Sequence, residues 1–302
     1  MRALVISGGG SKGAFAGGVA AHLTKVQHKE YDIFVGSSTG SLLLTHLAAN
    51  DIDKLHQVYT NVNQKSIFSL NPFKIQKKDG REYVSINFLN TVLQFIKKKR
   101  TFGESKNLRK LIANKITKEE FLQVKNSGKD VVVTVSNLTK NNVEYKSIKD
   151  FDYEEFCDWI WISCNYIPFM SLVKKNGYEY ADGGFGSMVS IREAIRRGAT
   201  EIDAIILESE NMEHNKVLGK NPFSLMLNLF GFVLDQVERS NIIEGKLAAN
   251  NKNVILNLFY TPSKLTENSL VFDKKLMTEW WDLGFKYAND KALKIKVNEL
   301  KI

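Results

Sequence analysis

Two short apolar runs near the start of the chain, residues 3–7 and 31–35, have the pattern of buried strands. Glycines follow each run, and a helical segment follows the glycines. Residues 13–25 are rich in small residues that allow close packing, and residues 41–50 have the pattern of an apolar helix. The order strand, helix, strand, helix implies parallel strands joined by helical crossovers. We therefore expect an α/β fold with a mainly parallel central sheet flanked by helices.

The pattern is less regular over residues 51–126, which are expected to be mainly helical with loops near Pro72 and Gly80. Asn176-Gly177, between two apolar segments, predicts a β-hairpin. The other expected elements are strands at 130–138, 142–148, 202–207 and 254–260 and helices at 153–162, 191–197, 224–250 and 275–297. We expect one domain over residues 1–302, with 51–126 as a helical insertion or cap and 261–302 as a C-terminal helical extension.

Composition is that of an ordinary globular protein, with 43% apolar and 25% charged residues. The apolar runs are shorter than the about 18 residues that would indicate a membrane-spanning helix. Glycines interrupt the first apolar run before a secretory signal can develop. Cys157 and Cys164 lie in an apolar segment without metal or redox spacing, so both are expected to be reduced core residues. We expect a cytoplasmic location.

Charge adds one more expectation, because the net charge is +9 and basic residues cluster in runs such as 97–100. Most such runs are solvated surface, but the balance favours peripheral contact with an anionic membrane. No nucleic-acid-binding motif accompanies the charge, so no nucleic acid partner is expected. The apolar stretch at 222–233 fits an acyl groove, a membrane interface or a buried core helix, and the buried helix is favoured.

The first candidate for chemistry is the segment 36–40, Gly-Ser-Ser-Thr-Gly, which matches the G-x-S-x-G pattern. It falls between a predicted buried strand and a predicted helix, which is the context that gives the pattern meaning. A nucleophilic serine must stand on a strained turn, and flanking glycines remove side chains that would clash there. The helix N-terminus offers free N–H groups and a positive dipole end to a developing oxyanion.

The glycine-rich segment 8–13 also lies between a strand and a helix, and it has three interpretations. A dinucleotide loop requires an acidic residue at the end of the second strand, but Asp32 opens that strand. A P-loop requires Lys and Ser or Thr directly after Gly13, where Ala14 and Phe15 stand. The third interpretation is an oxyanion hole of backbone N–H groups. It is favoured because parallel strands bring both turns to the same edge of the sheet.

A serine nucleophile needs a base, and the histidines are poor candidates. Of the five, only His214 follows a plausible acidic partner, and it lies in a polar loop. Asp182, followed by two glycines, comes directly after a predicted strand. A carboxylate there can accept the serine proton directly as a general base. The alternative is an ordinary tight turn, because Asp-Gly is a common turn dipeptide.

The three segments together, in this order, resemble the patatin-like phospholipases and acyl hydrolases. That family has a GGGxKG or GGGxRG loop on the first strand, a GxSxG turn on the next and a DGG or DGA turn far downstream. The resemblance includes Pro168 and Phe169 and covers residues 1 to about 260. It implies a three-layer α/β/α fold and hydrolysis of lipid or other acyl esters of the phospholipase A or lysophospholipase kind.

The resemblance also implies roles for individual residues. Ser38 would attack the ester carbonyl to form an acyl-enzyme, and Asp182 would take the serine proton. Backbone N–H groups of Gly9, Gly10 and Thr39 would hold the oxyanion. No metal or organic cofactor is needed. The supporting motif residues are Gly8, Ser11, Lys12, Gly13, Gly36, Gly40, Gly183 and Gly184.

Three departures from the family pattern bear on substrate shape more than on catalysis. Thr39 stands where the family commonly has alanine, and its branched side chain is expected to narrow the site. Residues 163–166 are bulkier than usual, and residues 185–188 replace the frequent Asn-Pro pair. Two other functions stay open. One is an acyltransferase or thioesterase that uses the same two residues, and the other is a nucleotide-binding regulator that uses the loop 8–13.

Overall fold

The computed structural model describes residues 1–78, 81–210 and 222–299. The strands are β1 Arg2–Ile6, β2 Ile33–Ser37, β3 Phe73–Lys78, β4 Arg81–Ile86, β5 Asp130–Asn137, β6 Asn142–Ser147, β7 Val173–Lys175, β8 Tyr178–Asp182, β9 Glu201–Ser209 and β10 Ile255–Thr261. The helices are α1 Gly13–Lys25, α2 Thr39–Ala48, α3 Ile52–Tyr59, α4 Gln64–Ile67, α5 Phe88–Ile96, α6 Lys106–Lys115, α7 Lys118–Asn126, α8 Tyr153–Ser163, α9 Ile191–Arg196, α10 Pro222–Asn251 and α11 Lys274–Glu299.

A mainly parallel sheet of eight strands forms the centre, in the order β10-β9-β1-β2-β5-β8-β7, with β6 paired to β5. Strands β10, β9, β1, β2 and β5 run parallel, whereas β6, β7 and β8 pair antiparallel with their neighbours. Alternate residues of β1 face opposite sides of this sheet. Leu4 and Ile6 belong to a core with α1, α2, α8 and α11, and Ala3 and Val5 to one with α9 and α10. The α/β fold with helices on both faces is therefore confirmed.

Strand β5 brings two distant parts of the chain end to end. Its first half pairs with β2, where Ser37 stands opposite Thr134. Its second half pairs with β8, where Asp182 stands opposite Val135. Because β6 runs along residues 132–137 of β5, both β2 and β8 must use the other edge. The end of β2 and the end of β8 are therefore neighbours along one strand.

Most predicted elements recur within a few residues of their expected bounds, and α1 has the predicted bounds. The hairpin at residues 176 and 177 forms as expected, because both residues have the positive φ angles (53° and 82°) that such a turn requires. The region 51–126 differs, because it contains an antiparallel pair, β3 and β4, in which Phe73 faces Ile86. Residues 73–76 alternate apolar and polar side chains, which is the strand period. The predicted loop residue Gly80 lies outside the described residues.

The C-terminal helix α11 packs along α1. Gly17 and Gly18 of α1 leave room for it, since a Cβ on Gly18 would lie 1.9 Å from the carbonyl oxygen of Trp281. Residues after 261 are thus part of the packing around the first helix, although the division of the chain into domains stays a prediction. Cys157 and Cys164 are both free and buried, as expected. None of the described helices is long and apolar enough to cross a membrane.

Candidate active site

Ser38 stands on a strained turn between β2 and α2. Its φ of 51° and ψ of −123° are unusual for a residue with a side chain. Gly36 and Gly40 make this turn possible, because a Cβ on Gly36 would lie 2.6 Å from the carbonyl carbon of Gly40. A Cβ on Gly40 would lie 2.3 Å from the carbonyl oxygen of Ile6. The two motif glycines thus hold the turn close against itself and against β1.

The Ser38 hydroxyl contacts the Asp182 carboxylate directly. Ser38 Oγ donates a hydrogen bond to Asp182 Oδ2 at 2.6 Å, across 144 positions of sequence. Asp182 Oδ1 accepts a second hydrogen bond, from Gly184 N, at 2.8 Å. Gly183 packs against the main chain of Thr134, where a Cβ would lie 2.2 Å from a carbonyl oxygen. The Asp-Gly-Gly turn therefore fits against β5 and directs the carboxylate to Ser38.

Burial changes the acid strength of this carboxyl group. Loss of solvation raises the pKa of Asp182 from 3.8 to about 7, and hydrogen bonds from Ser38 and Gly184 oppose the rise. The side chain is only 3% exposed, so solvent screens the charge little. A carboxylate with a pKa near neutrality is a stronger base than an exposed aspartate and is still ionised at pH 8. That pKa suits a group that must take a proton from a hydroxyl.

The glycine-rich loop lies beside Ser38. A Cβ on Gly8 would approach Ser38 Cβ to 3.2 Å. Gly10 has a φ of 56° and is so close to Ser269 that a Cβ would lie 2.2 Å from its carbonyl oxygen, so only glycine fits there. Ser11 binds the same carbonyl through its N–H at 2.8 Å and its hydroxyl at 3.1 Å. Ser269 therefore covers part of the loop that a bound phosphate would use.

Three backbone N–H groups remain available near the serine. Within the described part of the chain, Gly9, Gly10 and Thr39 donate no backbone hydrogen bond. Thr39 is the first residue of α2, where the helix dipole is positive. Gly13 packs under it, since a Cβ there would lie 2.3 Å from Thr39 Oγ1. Free donors beside a hydroxyl are the groups that an oxyanion needs.

Lys12 supports the loop from behind. Its buried ammonium group pairs with Glu208, which lies near the end of β9. Two acidic residues of α10, Asp235 and Glu238, interact with both charges: beside the effect of burial, Glu208 raises their pKa and Lys12 lowers it. Burial raises the pKa of Glu238 to about 8, with the negative charge of Glu208 adding to the rise. The Lys12–Glu208 pair links the glycine loop after β1 to the neighbouring strand.

The Thr39 side chain does not narrow the site as expected. Its Oγ1 hydrogen-bonds the Tyr59 hydroxyl at 2.8 Å, in a buried contact behind α2. Tyr59 also donates to the Thr39 carbonyl oxygen at 3.1 Å. The branched side chain therefore turns toward α3, and only the N–H of Thr39 concerns the site.

Residues 163–165 hydrogen-bond the main chain of Ser38 and Asp182. The sequence did not predict this role. Ser163 Oγ accepts from Ser38 N at 2.9 Å, and Cys164 Sγ donates to the Ser38 carbonyl oxygen at 3.1 Å. The Asn165 carbonyl oxygen accepts from Asp182 N at 3.0 Å. The signal in the sequence is weak, because short polar side chains at the end of a helix are common. Their role depends on tertiary contacts.

Histidine takes no part in this arrangement among the described residues. None of His22, His28, His46 and His56 hydrogen-bonds Ser38 or Asp182, and His46 instead binds Glu120. His214 lies outside the described residues. Asp32 accepts from Arg2 N at the start of β1, so it is far from the loop that a dinucleotide would use. No cluster of His, Cys, Asp or Glu side chains that could hold a metal ion is found in the described part.

An open groove of about 460 Å³ lies between the Asp-Gly-Gly turn and α10. Gly186 lines one side, and Phe232, Val237 and Asn241 of α10 line the other. The favoured expectation that residues 222–233 form a buried core helix is wrong for the side chains described. Leu225, Leu229 and Phe232 are more than half exposed, and the α10 residues that belong to the core come later, at Ile242, Ala248 and Ala249. Gly186, which lines the groove, stands four positions after Asp182 in the chain.

The fold and the site together define an α/β protein with a serine–aspartate pair at the carboxyl edge of a mainly parallel sheet. Residues 4–195 match the model of the family described as Patatin-like phospholipase, and the chain belongs to that family. Membership implies, in general terms, an enzyme that hydrolyses lipid esters.

Two further comparisons concern individual proteins. The chain is similar to the crystal structure of VipD from Legionella pneumophila, with a TM-score of 0.50 and 13% sequence identity. The likeness covers 96% of this chain but only 66% of that one, and it supports the fold alone. Among curated proteins, none matches.

Proposed function

We propose that the protein is a lipid acyl hydrolase of the phospholipase A or lysophospholipase kind, with Ser38 as nucleophile and Asp182 as general base. The observation that carries the proposal is the 2.6 Å hydrogen bond from Ser38 Oγ to Asp182 Oδ2. The raised pKa of Asp182 supports it, because a base works best when its pKa lies near the working pH.

The reaction proceeds in two steps through an acyl-enzyme. Asp182 takes the hydroxyl proton as Ser38 Oγ attacks the ester carbonyl carbon, and the resulting oxyanion accepts hydrogen bonds from Gly9, Gly10 and Thr39. Asp182 then gives its proton to the leaving alcohol as the carbon–oxygen bond breaks. In the second step Asp182 deprotonates water, which attacks the acyl-enzyme. Ser38 regains its proton from Asp182 when the fatty acid leaves.

Family membership and the surroundings of the pair support a lipid ester as substrate. Family membership favours a lipid ester, and the exposed apolar side chains of α10 beside the groove provide a place for an acyl chain. With a net charge of +9, peripheral contact with an anionic membrane fits the same substrate. No cofactor is required by this chemistry.

A fluorophosphonate probe tests the proposal, because it reacts only with an activated serine hydroxyl. We expect mass mapping to find the probe on Ser38. Asp182→Asn should slow labelling by about 10²- to 10⁴-fold, the usual contribution of a general base. Cleavage of a p-nitrophenyl ester should fall in parallel.

Ser37 offers a matched control at the adjacent position. Its hydroxyl is fully buried and donates to the Ser187 carbonyl oxygen at 2.5 Å, so it has no base to activate it. Ser37→Ala should keep labelling and ester cleavage within a few-fold of wild type, whereas Ser38→Ala should lose both. Full activity in the Ser38 variant would defeat the proposal.

A further inference from the structure

Helix α5 has its apolar and polar sides reversed. The residues that it buries are Thr91 and Gln94, both polar. Thr91 Oγ1 and Gln94 Nε2 find no hydrogen-bond partner in the described part of the chain. Its apolar side chains point outward instead. The exposed fractions are 77% for Phe88, 79% for Leu89, 50% for Val92, 45% for Leu93, 62% for Phe95 and 71% for Ile96.

Such a surface is unfavourable in water. A surface helix normally turns its apolar stripe to the core, and a contiguous apolar patch on a monomer usually marks an interaction site. The short loop before β3 ties α5 down, since Asn90 Nδ2 donates to the Asn71 carbonyl oxygen at 2.8 Å. The outward face of α5 therefore suits a medium less polar than water.

A run of basic residues follows this face directly. Residues 97–100 are Lys-Lys-Lys-Arg, and all four are exposed. Lys99 pairs with Glu104 and Arg100 with Glu179, whereas Lys97 and Lys98 make no ion pair with the described residues. Apolar side chains next to basic ones match the interface of an anionic bilayer, where acyl chains lie below anionic headgroups.

The exposed apolar side chains at the start of α10 are not followed by a run of basic residues. Asp235, an exposed acidic residue, follows the exposed Phe232 and Val233, where it would repel an anionic headgroup. An anionic membrane therefore favours α5 over α10.

A line of aromatic rings connects α5 with the candidate active site. Ring centroids are separated by 6.3, 5.9, 6.0 and 5.2 Å along the series Phe95, Phe102, Phe169, Tyr166 and Phe185. The last ring directly follows the Asp-Gly-Gly turn that carries Asp182. The exposed face of α5 and the serine–aspartate pair therefore lie at two ends of one apolar path.

We propose that α5 is the element by which the protein docks on an anionic phospholipid membrane. Its apolar side chains enter the interface, and Lys97 and Lys98 bind the headgroups. The aromatic path then faces the acyl chains of lipids under the docked protein. This inference rests on the proposed lipid-ester activity for its biological sense, but docking is measured independently of catalysis.

The test is flotation with vesicles of phosphatidylcholine alone and of phosphatidylcholine with phosphatidylglycerol. Wild type is expected to float with the anionic vesicles. Leu89→Ser with Ile96→Ser should weaken that partition by at least about thirtyfold, because two apolar side chains lose their burial in lipid. Lys97→Ala with Lys98→Ala should weaken it about 25-fold, since each charge near an anionic surface contributes roughly fivefold.

A matched control removes apolar side chains of similar exposure elsewhere. Val26 follows the C-terminal residue of α1 and is 49% exposed, and Ile255 is the first residue of β10 and is 62% exposed. Changing both to Ser should leave the partition within twofold of wild type. Equal losses in the control and in the α5 variant would overturn the proposal, and so would an absence of vesicle binding by wild type.

The other outcomes separate docking from catalysis and from self-association. The α5 variants should cleave a soluble p-nitrophenyl ester at the wild-type rate. Vesicle binding by a wild type that cleaves no ester would contradict the proposed function and leave docking intact. A third outcome is a wild-type dimer in sedimentation that is lost in the Leu89 and Ile96 variant, with no vesicle binding by wild type. That result would assign the face to a second copy of the chain and overturn the membrane proposal.

Discussion

Helices α2 and α5 are nearly equal in length, at 10 and 9 residues, and both are rich in apolar side chains, but they are placed in opposite ways. Every residue of α2 except Leu42 is buried, whereas α5 buries only Thr91 and Gln94. Helix α2 starts at the Ser38 turn and lies over the main sheet. Helix α5 follows the separate two-stranded sheet of β3 and β4. Apolar content therefore predicts a helix but not the medium that covers it.

The largest expected effect is on the rate of ester hydrolysis. It should appear in variants of the turn before α2 and not in variants of α5. Ser38→Ala is expected to lower the rate of soluble-ester hydrolysis by at least about 10⁴-fold, since loss of a nucleophile removes the acyl-enzyme route. Leu89→Ser should change that rate less than twofold. Steady-state kinetics on a p-nitrophenyl ester measure both. A comparable loss in the Leu89 variant would mean that α5 belongs to the catalytic machinery.

The next effect is on pH dependence, which should differ between ester hydrolysis at Ser38 and vesicle docking through α5. Because the folded pKa of Asp182 is about 7, ester hydrolysis should fall about tenfold per pH unit below pH 6 as the carboxylate takes up a proton. Vesicle docking through α5 should not follow this change, because Asp182 is not part of the docking face. Pre-steady-state rates and flotation over this range provide the measurements.

The same pKa has a consequence for stability. A pKa raised above the unfolded value means that the native state binds the proton more tightly, so ionised Asp182 lowers stability as the pH rises from about 4 to 7. The free energy of unfolding of Asp182→Asn, relative to wild type, should therefore increase over this range by up to about 4 kcal/mol. Urea titrations at pH 4 and pH 7 measure it. A constant difference would show that Asp182 ionises normally.

Truncation of one leucine in each helix should show how differently α2 and α5 contribute to the free energy of unfolding. Leu44 of α2 is fully buried and Leu89 of α5 is 79% exposed. Leu44→Ala should lower the free energy of unfolding by about 2–5 kcal/mol through lost burial and a cavity. Leu89→Ala should change it by less than about 0.5 kcal/mol. Denaturant unfolding compares the two, and similar losses would indicate that α5 packs against the protein in solution.

The smallest expected effect concerns the Thr39 side chain. Thr39→Ala removes the hydrogen bond to Tyr59 but keeps the backbone N–H at the start of α2. We expect a loss of about 0.5–1.5 kcal/mol in unfolding free energy and a rate of ester hydrolysis within about tenfold of wild type. A larger fall in rate, with stability unchanged, would mean that the side chain itself contacts substrate.

The opening β-α-β-α unit and its glycine motifs were predictable because their signals are local. A buried strand, a glycine turn and a helix lie within residues 1–50 and need no distant partner to be identified. The contact between Ser38 and Asp182 followed from the resemblance, but its cause is the shared edge of β5, which only the strand pairing shows. The roles of Ser163 and Glu208 also depend on partners more than 100 positions away.

Strand β3 has a local signal in the alternation at residues 73–76, but the outward face of α5 has none. Periodicity identifies which residues share a side of a helix, but it does not say which side meets the core. In α5 the polar residues Thr91 and Gln94 occupy the inner positions, so a rule that buries apolar side chains assigns the wrong orientation. Neither helix propensity nor composition contains that information.

The bond between Ser11 and Ser269 sets an order of events during protein synthesis. The two residues are 258 positions apart, and Ser269 also fixes the space around Gly10. At about 5–20 residues per second, a ribosome needs roughly 13–50 s to reach Ser269 after Ser11 has been added. Throughout that time the glycine loop of the nascent chain lacks its contact with Ser269. A growing chain is therefore expected to complete the packing of its first glycine loop only after translation has passed that point.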